Sequence, residues 1–169
     1  GRLWVAEAYE GALLCFDVDG TLLKRIEGPA GAPFLWPNDL VFGANGALYM
    51  TDSGTTEHEF IPGGTIREDF DTATYRGCVY QIDPVSGRVV RTIDTDLRFL
   101  NGIAIGPDGC LYANETITGD VLRYDLAGDA KREVFGNVIR RDLAPAFRGP
   151  DVMKFGDNDR LYCTVFGQG

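Results

Sequence analysis

One pattern met three times, together with the lack of any segment of helical period, predicts an all-β chain built as a β-propeller of four-stranded antiparallel blades. The pattern is a polar residue, a short apolar strand, a tight turn and a second apolar strand. Asn38–Ser53, Asn101–Thr116 and Asp151–Phe166 superpose without a gap, anchored by the pairs Leu48-Tyr49, Leu111-Tyr112 and Leu161-Tyr162. Between successive copies lies room for two more strands, so each copy opens one blade. The 169 residues then hold an incomplete arc of about four blades, two whole and two partial, within one domain.

In chain order, strand signals at Leu3–Ala8, Ala12–Val18 and Leu22–Ile26, separated by Tyr9-Glu10-Gly11 and Asp19-Gly20 turns, give a three-strand meander over residues 1–28. Leu3-Trp4 aligns with Leu48-Tyr49, so this unit is read from its second strand onward. A Gly/Pro-rich connector leads to the second blade, residues 37–95. Its first two strands follow the repeat. Residues 54–76 are then polar and rich in turn residues, a connection long enough to expect a functional loop. Cys78–Asp83 and Arg88–Ile93 complete the blade around a turn at Pro84-Val85-Ser86-Gly87. The third blade, residues 101–140, adds Val121–Asp125 and Lys131–Phe135 to its copy of the repeat, and the fourth, 150–169, holds two strands. A chain that opens and closes inside blades is expected to be part of a larger ring, or an open arc with exposed edges.

Composition narrows the partners. With 44% apolar residues the chain can bury a core, and a formal charge of −9 argues against nucleic acid or an anionic membrane while leaving room for a cation. No apolar run approaches the ~18 residues of a membrane span. Cys15, Cys78, Cys110 and Cys163 lie in or beside apolar strands without Cys-x-x-Cys spacing, which reads as free thiols and a reducing, cytoplasmic setting.

The chemistry rests on the first residue of each repeat. Innermost strands of a propeller run side by side around the axis and start on one face, so Asn38, Asn101 and Asp151 should converge. Two amide carbonyls and a carboxylate are hard oxygen donors suited to Ca²⁺, Mg²⁺ or Mn²⁺. The plainer alternative is that they cap the turns into their strands. A second recurrent position, Glu7, Asp52 and Glu115, is read chiefly as satisfying backbone groups of a neighbouring turn. His58, the single histidine, sits in the acidic run Glu57-His58-Glu59 and reads as a surface or rim residue. The stretch Asp17-Val18-Asp19-Gly20-Thr21 resembles the nucleophile motif of haloacid-dehalogenase-like phosphatases. That fold needs a helix after the motif, and Asp17 aligns with Asp83 and Asp125 before equivalent turns.

The words Pro37-Asn38-Asp39, Asn101-Gly102 with Pro107-Asp108-Gly109, and Gly149-Pro150-Asp151 together resemble the gluconolactonase/regucalcin family, the senescence-marker-protein-like lactonases. The resemblance implies a six-bladed β-propeller with a divalent metal on its axis, calcium first, with zinc, manganese and magnesium as alternatives. It implies Asn101 and Asp151 as metal ligands and Asn38 beside the metal, contacting metal or substrate. Asp151 would also be the catalytic base, and Asp52 and Ser53 would bind substrate at the pocket edge. The implied reaction is hydrolysis of a small-molecule lactone, with the carbonyl polarised by the metal and a water activated for attack. The family's glutamate ligand would precede residue 1. Trp36-Pro37 stands where some members carry a substrate-binding arginine, which makes the pocket more apolar there. A propeller serving only as a binding or scaffold module is the alternative function.

Overall fold

The computed structural model describes residues 1–140, 142–143 and 146–168. Thirteen strands among them form four antiparallel sheets. The first sheet holds β1 (Leu3–Glu7), β2 (Ala12–Phe16) and β3 (Leu22–Ile26). The second holds β4 (Pro37–Phe42), β5 (Leu48–Asp52), β6 (Gly77–Asp83) and β7 (Arg88–Leu97). The third holds β8 (Leu100–Ile105), β9 (Leu111–Glu115), β10 (Asp120–Tyr124) and β11 (Glu133–Asn137), and the fourth β12 (Gly149–Phe155) and β13 (Leu161–Phe166). Every sheet is a meander in chain order, and β4, β8 and β12 lie side by side. This is the expected propeller arc, two whole blades flanked by two partial ones.

The Leu-Tyr anchor has a double explanation. Side chains alternate across a strand, so in β5 Leu48 and Met50 face the first sheet while Tyr49 faces the third, and both faces are buried. Separate apolar cores therefore fill the gaps between consecutive sheets. One is built on Trp4, Leu13, Met50 and Ile82, the next on Tyr49, Leu100, Leu111 and Tyr124, the last on Tyr112, Val121 and Met153. The tyrosine also closes its own hairpin: Asn45 Nδ2 and Asn158 Nδ2 donate to the hydroxyls of Tyr49 and Tyr162, and Tyr112 donates to Asp108 Oδ2. Each ring packs closely against a glycine. A Cβ at Gly43, Gly106 or Gly156 would stand 2.8, 2.6 or 2.9 Å from a ring carbon, so any side chain there would have to displace the ring.

Asp17-Val18-Asp19-Gly20-Thr21 is the turn joining the antiparallel strands β2 and β3, not the end of a parallel strand feeding a helix. Asp17 Oδ1 accepts the Asp19 and Thr21 N–H, as Asp83 accepts those of Val85 and Ser86, and Asp125 that of Ala127. The hydrogen bond from Thr21 leads the causes that hold the Asp17 carboxyl below its ordinary value. Residues 54–76 are less irregular than expected. They contain a one-turn helix, α1 (Glu57–Phe60), closed by a capping box in which Thr56 and Glu59 exchange hydrogen bonds. His58 is exposed on that turn. All four cysteines are free thiols, two buried and two half-buried, and no helix among the described residues is long and apolar enough to cross a membrane.

Candidate functional site

The three innermost strands share a deformation that the sequence does not display. In β4 the pairing with β5 jumps from Pro37↔Asp52 to Leu40↔Met50, in β8 from Leu100↔Glu115 to Ile103↔Ala113, and in β12 from Pro150↔Val165 to Met153↔Cys163. Two residues on the inner strand thus oppose one on its neighbour, the definition of a β-bulge. The first residue of each bulge is Asn38, Asn101 or Asp151. A bulge re-aims the side chain it carries, so the polar position recurs because the same kink does.

The β8 and β12 bulges are each held by the blade before them. Thr51, opposite the β4 bulge, donates its hydroxyl to Asn101 O at 2.5 Å, and Ser53 donates to Leu100 O at 2.8 Å. One blade on, Asn114 Nδ2 donates to Asp151 O and Thr116 Oγ1 to Pro150 O, both at 2.7 Å. These four donors are buried, so each carbonyl they hold is satisfied without water. The recurrence was visible in the aligned repeats, where Thr51 matches Asn114 and Ser53 matches Thr116.

The clamp also fixes the asparagines. The Ser53 hydroxyl gives its one proton to Leu100 O, so it can only accept from Asn38, and Asn38 Nδ2 donates to it at 3.0 Å. Asn101 Nδ2 faces Thr116 Oγ1 at 3.4 Å under the same constraint. In both residues Oδ1 is turned away from the clamp, and no donor meets it among the described residues. The Asp151 carboxylate likewise accepts no hydrogen bond from a described residue, and it is half-buried.

The recurrent acids do a different job. Asp52 is 2% exposed and accepts the N–H of Leu35, Trp36 and Gly54, which places Trp36 at the approach to β4. Glu115 accepts Arg98 N–H and the Thr118 hydroxyl, and so places Phe99 before β8. Burial leads the causes that push the Asp52 carboxyl above its ordinary value, against the pull of its three backbone donors. Phe99 holds φ at +57°, an uncommon conformation for an aromatic residue, and turns its ring into the cluster of Phe60 and Tyr75.

Asn101 and Asp151 line one pocket of about 280 Å³, together with Thr116 and an aromatic wall that includes Trp36, Phe60, Phe99 and Phe147. Asn38 does not line it but sits on the adjoining strand. Ser53 is wholly buried. Asp52 borders a separate hollow with Cys78 and Tyr80. Asp39, second in the β4 bulge, was not anticipated. Its Oδ2 accepts Ile103 N–H from the next blade, and burial first, then the nearby Asp151 charge, pushes its carboxyl up.

The donor set fits a hard divalent cation: two amide oxygens and one carboxylate lie on adjoining strands with no hydrogen-bond donor to them among the described residues. No group of three or more His, Cys, Asp or Glu side chains able to hold a metal occurs among the described residues. Any cation here would therefore rely on the asparagine amides.

Residues 30–169 match the family described as SMP-30/Gluconolactonase/LRE-like region. A gluconolactonase of Zymomonas mobilis is 27% identical over 99% of this chain and 47% of its own length. A protein named strictosidine synthase-like 13, from Arabidopsis thaliana, is 27% identical over 98% of this chain and 38% of its own. The chain thus spans about half or less of the length of these relatives. The crystal structure of a calcium-binding protein, regucalcin, from Agrobacterium tumefaciens superposes with a TM-score of 0.67 at 21% identity, over 96% of this chain and 50% of that one, and shares the fold. With the bulged polar position, the Leu-Tyr anchor and the blade order all in place, the chain belongs to the SMP-30/gluconolactonase/LRE-like family.

Proposed function

We propose that this chain carries part of the site of a metal-dependent lactonase, in which Asn38, Asn101 and Asp151 supply oxygen ligands to a divalent cation, calcium first. The observation that carries the reading is the repeated bulge, because it sets an oxygen-bearing residue at the same kink in three adjoining strands while the clamps meet only the amide nitrogens of Asn38 and Asn101. Family membership supports the reaction class. Hard oxygen donors favour Ca²⁺, Mg²⁺ or Mn²⁺ over zinc.

When bound, the cation would polarise the lactone carbonyl and offset the charge that grows on its oxygen. Asp151 is the general base of the proposal. Water attacks the carbonyl carbon, its proton passes to the Asp151 carboxylate, the ring C–O bond breaks, and the proton is handed to the departing alkoxide to leave a hydroxy acid. Ser53 and Thr116 act as positioning residues that keep the amide oxygens of Asn38 and Asn101 facing the ligand. Asp52 acts at one remove, by seating Trp36 at the pocket edge.

The test is to measure calcium affinity by calorimetry and lactone hydrolysis side by side in the full-length protein. Asp151→Ala is expected to lower kcat/KM at least about 100-fold, as loss of a general base does, and Asn101→Ala to weaken calcium binding. Full activity in Asp151→Ala would sink the assignment. Saturable calcium binding without turnover of any lactone would favour the non-catalytic propeller.

A further inference from the structure

We propose that this pocket selects lactones bearing an apolar substituent, an alkyl chain or an aryl ring, over polyhydroxylated sugar lactones; the inference rests on the lactonase reading and assigns its substrate class. The pocket has one polar corner, made by Asn101, Thr116 and Asp151. That corner has little left for a substrate hydroxyl. The Thr116 proton goes to Pro150 O and one Asn101 amide proton faces Thr116, so what remains is a single amide N–H beside acceptor oxygens that the proposed site gives to the cation. The rest of the lining among the described residues is apolar and includes Trp36, Phe60, Ile61, Ile66, Phe99 and Phe147.

The wall is also set in place before any ligand arrives. Trp36 meets Phe99 edge-on at 5.4 Å and 72°, and Phe60 meets Phe147 at 5.4 Å and 63°. Edge-to-face packing is the preferred arrangement of such rings, so they have no need to turn toward a polar guest. Phe60 ends the turn that the Thr56–Glu59 capping box closes, and Phe99 is fixed by its left-handed backbone. At about 280 Å³ the pocket lies near the small end of ligand sites. It suits a lactone ring with one modest side group. A sugar lactone would bury its ring hydroxyls against carbon, and a buried hydroxyl without a partner opposes binding. Phe60 and Ile66, both from the 54–76 connection, are the specificity-determining residues of the proposal.

Two measurements on the full-length protein test this. In the first, kcat/KM is compared for γ-nonalactone and D-glucono-1,5-lactone with calcium present. The alkyl lactone is expected to lead by at least about 10-fold, the scale on which apolar pockets discriminate, and Phe60→Ala to cut that ratio at least about 10-fold. Ile66→Ser, at a half-buried position on the edge of the Phe60 cluster, is expected to lower it in the same direction with a smaller loss of packing than Phe60→Ala. In the second, the fluorescence change that Trp36→Phe abolishes is followed while a γ-alkyl lactam, a non-hydrolysed mimic, is titrated with calcium present. A saturable change, weakened at least about 10-fold by Phe60→Ala and absent with a hydroxylated lactam, is expected. If no lactone turns over yet the alkyl lactam binds in this way, the lactonase reading fails and the ligand class stands. Preference for the sugar lactone, equal use of both lactones, or no saturable binding of the alkyl lactam overturns the proposal.

Discussion

The two complete blades are built to one plan and differ where the plan meets its neighbour. In the second blade the bulge is Asn38-Asp39, and in the third Asn101-Gly102. Asp39 reaches forward to the Ile103 N–H of the third blade. Gly102 cannot reach anywhere, because a Cβ there would stand 2.3 Å from Asp151 O and 2.9 Å from Asn114 Nδ2. The second blade can afford a side chain that spans the gap, whereas the third must let the fourth come close. The asymmetry bears directly on the proposed site, since it brings the backbone of Asp151 against the strand that carries Asn101.

The largest expected effect comes from forcing the third blade to resemble the second. Gly102→Val should lower stability by about 3 kcal/mol or more, the upper range of overpacking costs, which is roughly a 6–12 °C fall in Tm for a chain of this size. If the proposed site binds calcium, the variant should also bind it more weakly, because Asp151 moves with its carbonyl. The converse change, Asp39→Gly, removes the acceptor of the Ile103 and Leu40 N–H groups without crowding the fold and should cost about 1–3 kcal/mol. Thermal unfolding of the two variants checks the order, and equal losses would show that the close approach at Gly102 is not special.

Next comes the residue opposite each bulge. Thr51 and Asn114 hold equivalent carbonyls, but the buried Asn114 Oδ1 has no hydrogen-bond partner among the described residues. Asn114→Leu should therefore cost about 1–3 kcal/mol by stranding Asp151 O. Asn114→Thr, which copies the second blade, should stay within about 1 kcal/mol of the parent because it removes the orphaned oxygen along with the donor's extra length. Urea midpoints distinguish the two.

A smaller effect lies at the outer seam between these blades. Asp94 on β7 accepts Arg132 through both oxygens at 2.7 Å and the Tyr124 hydroxyl at 2.8 Å. Burial alone would raise its carboxyl, but the hydrogen bonds from Arg132, Tyr124 and Thr95 outweigh burial and hold it below the ordinary value. A depressed carboxylate adds stability that is fully present above its unfolded pKa of about 3.9 and lost as pH falls through the lower folded value. Urea midpoints taken from pH 5 down to pH 3 should fall faster in the parent than in Asp94→Asn. Parallel curves would remove the seam from the account of acid sensitivity.

The smallest effect concerns the connection that only the second blade has. The third blade turns from β9 to β10 through Thr116–Gly119, while the second inserts residues 53–76 and with them Phe60. Thr56→Ala should cost this turn about 1 kcal/mol. Hydrogen exchange should quicken at Phe60 and Ile61, whose N–H groups close α1, and remain unchanged at β9.

The blades, the tyrosine anchors and the polar position were legible in the sequence because each is a property of one segment repeated. The bulges were not, since a bulge is a relation between two strands and leaves no mark in either one read alone. The inward carboxylates illustrate the same limit. Asp52 and Glu115 could be aligned, but that they catch the backbone ahead of Trp36 and Phe99 depends on how the connector folds back. Short helical turns escape periodicity altogether, yet Thr56-Glu57-His58-Glu59 spells a capping box. β7 runs on to Leu97 rather than stopping at Ile93, and Arg132, expected inside a strand, precedes β11 and is drawn to Asp94.

The direction of the clamps has a consequence for how the arc comes into being. In all four, the donor precedes its acceptor in the chain: Thr51 before Asn101, Ser53 before Leu100, Asn114 before Asp151, Thr116 before Pro150. Ribosomes deliver a polypeptide N-terminus first. Each new inner strand therefore emerges onto hydroxyls and amides that are already waiting, and the carboxylate of Asp151 is positioned by residues synthesised before it.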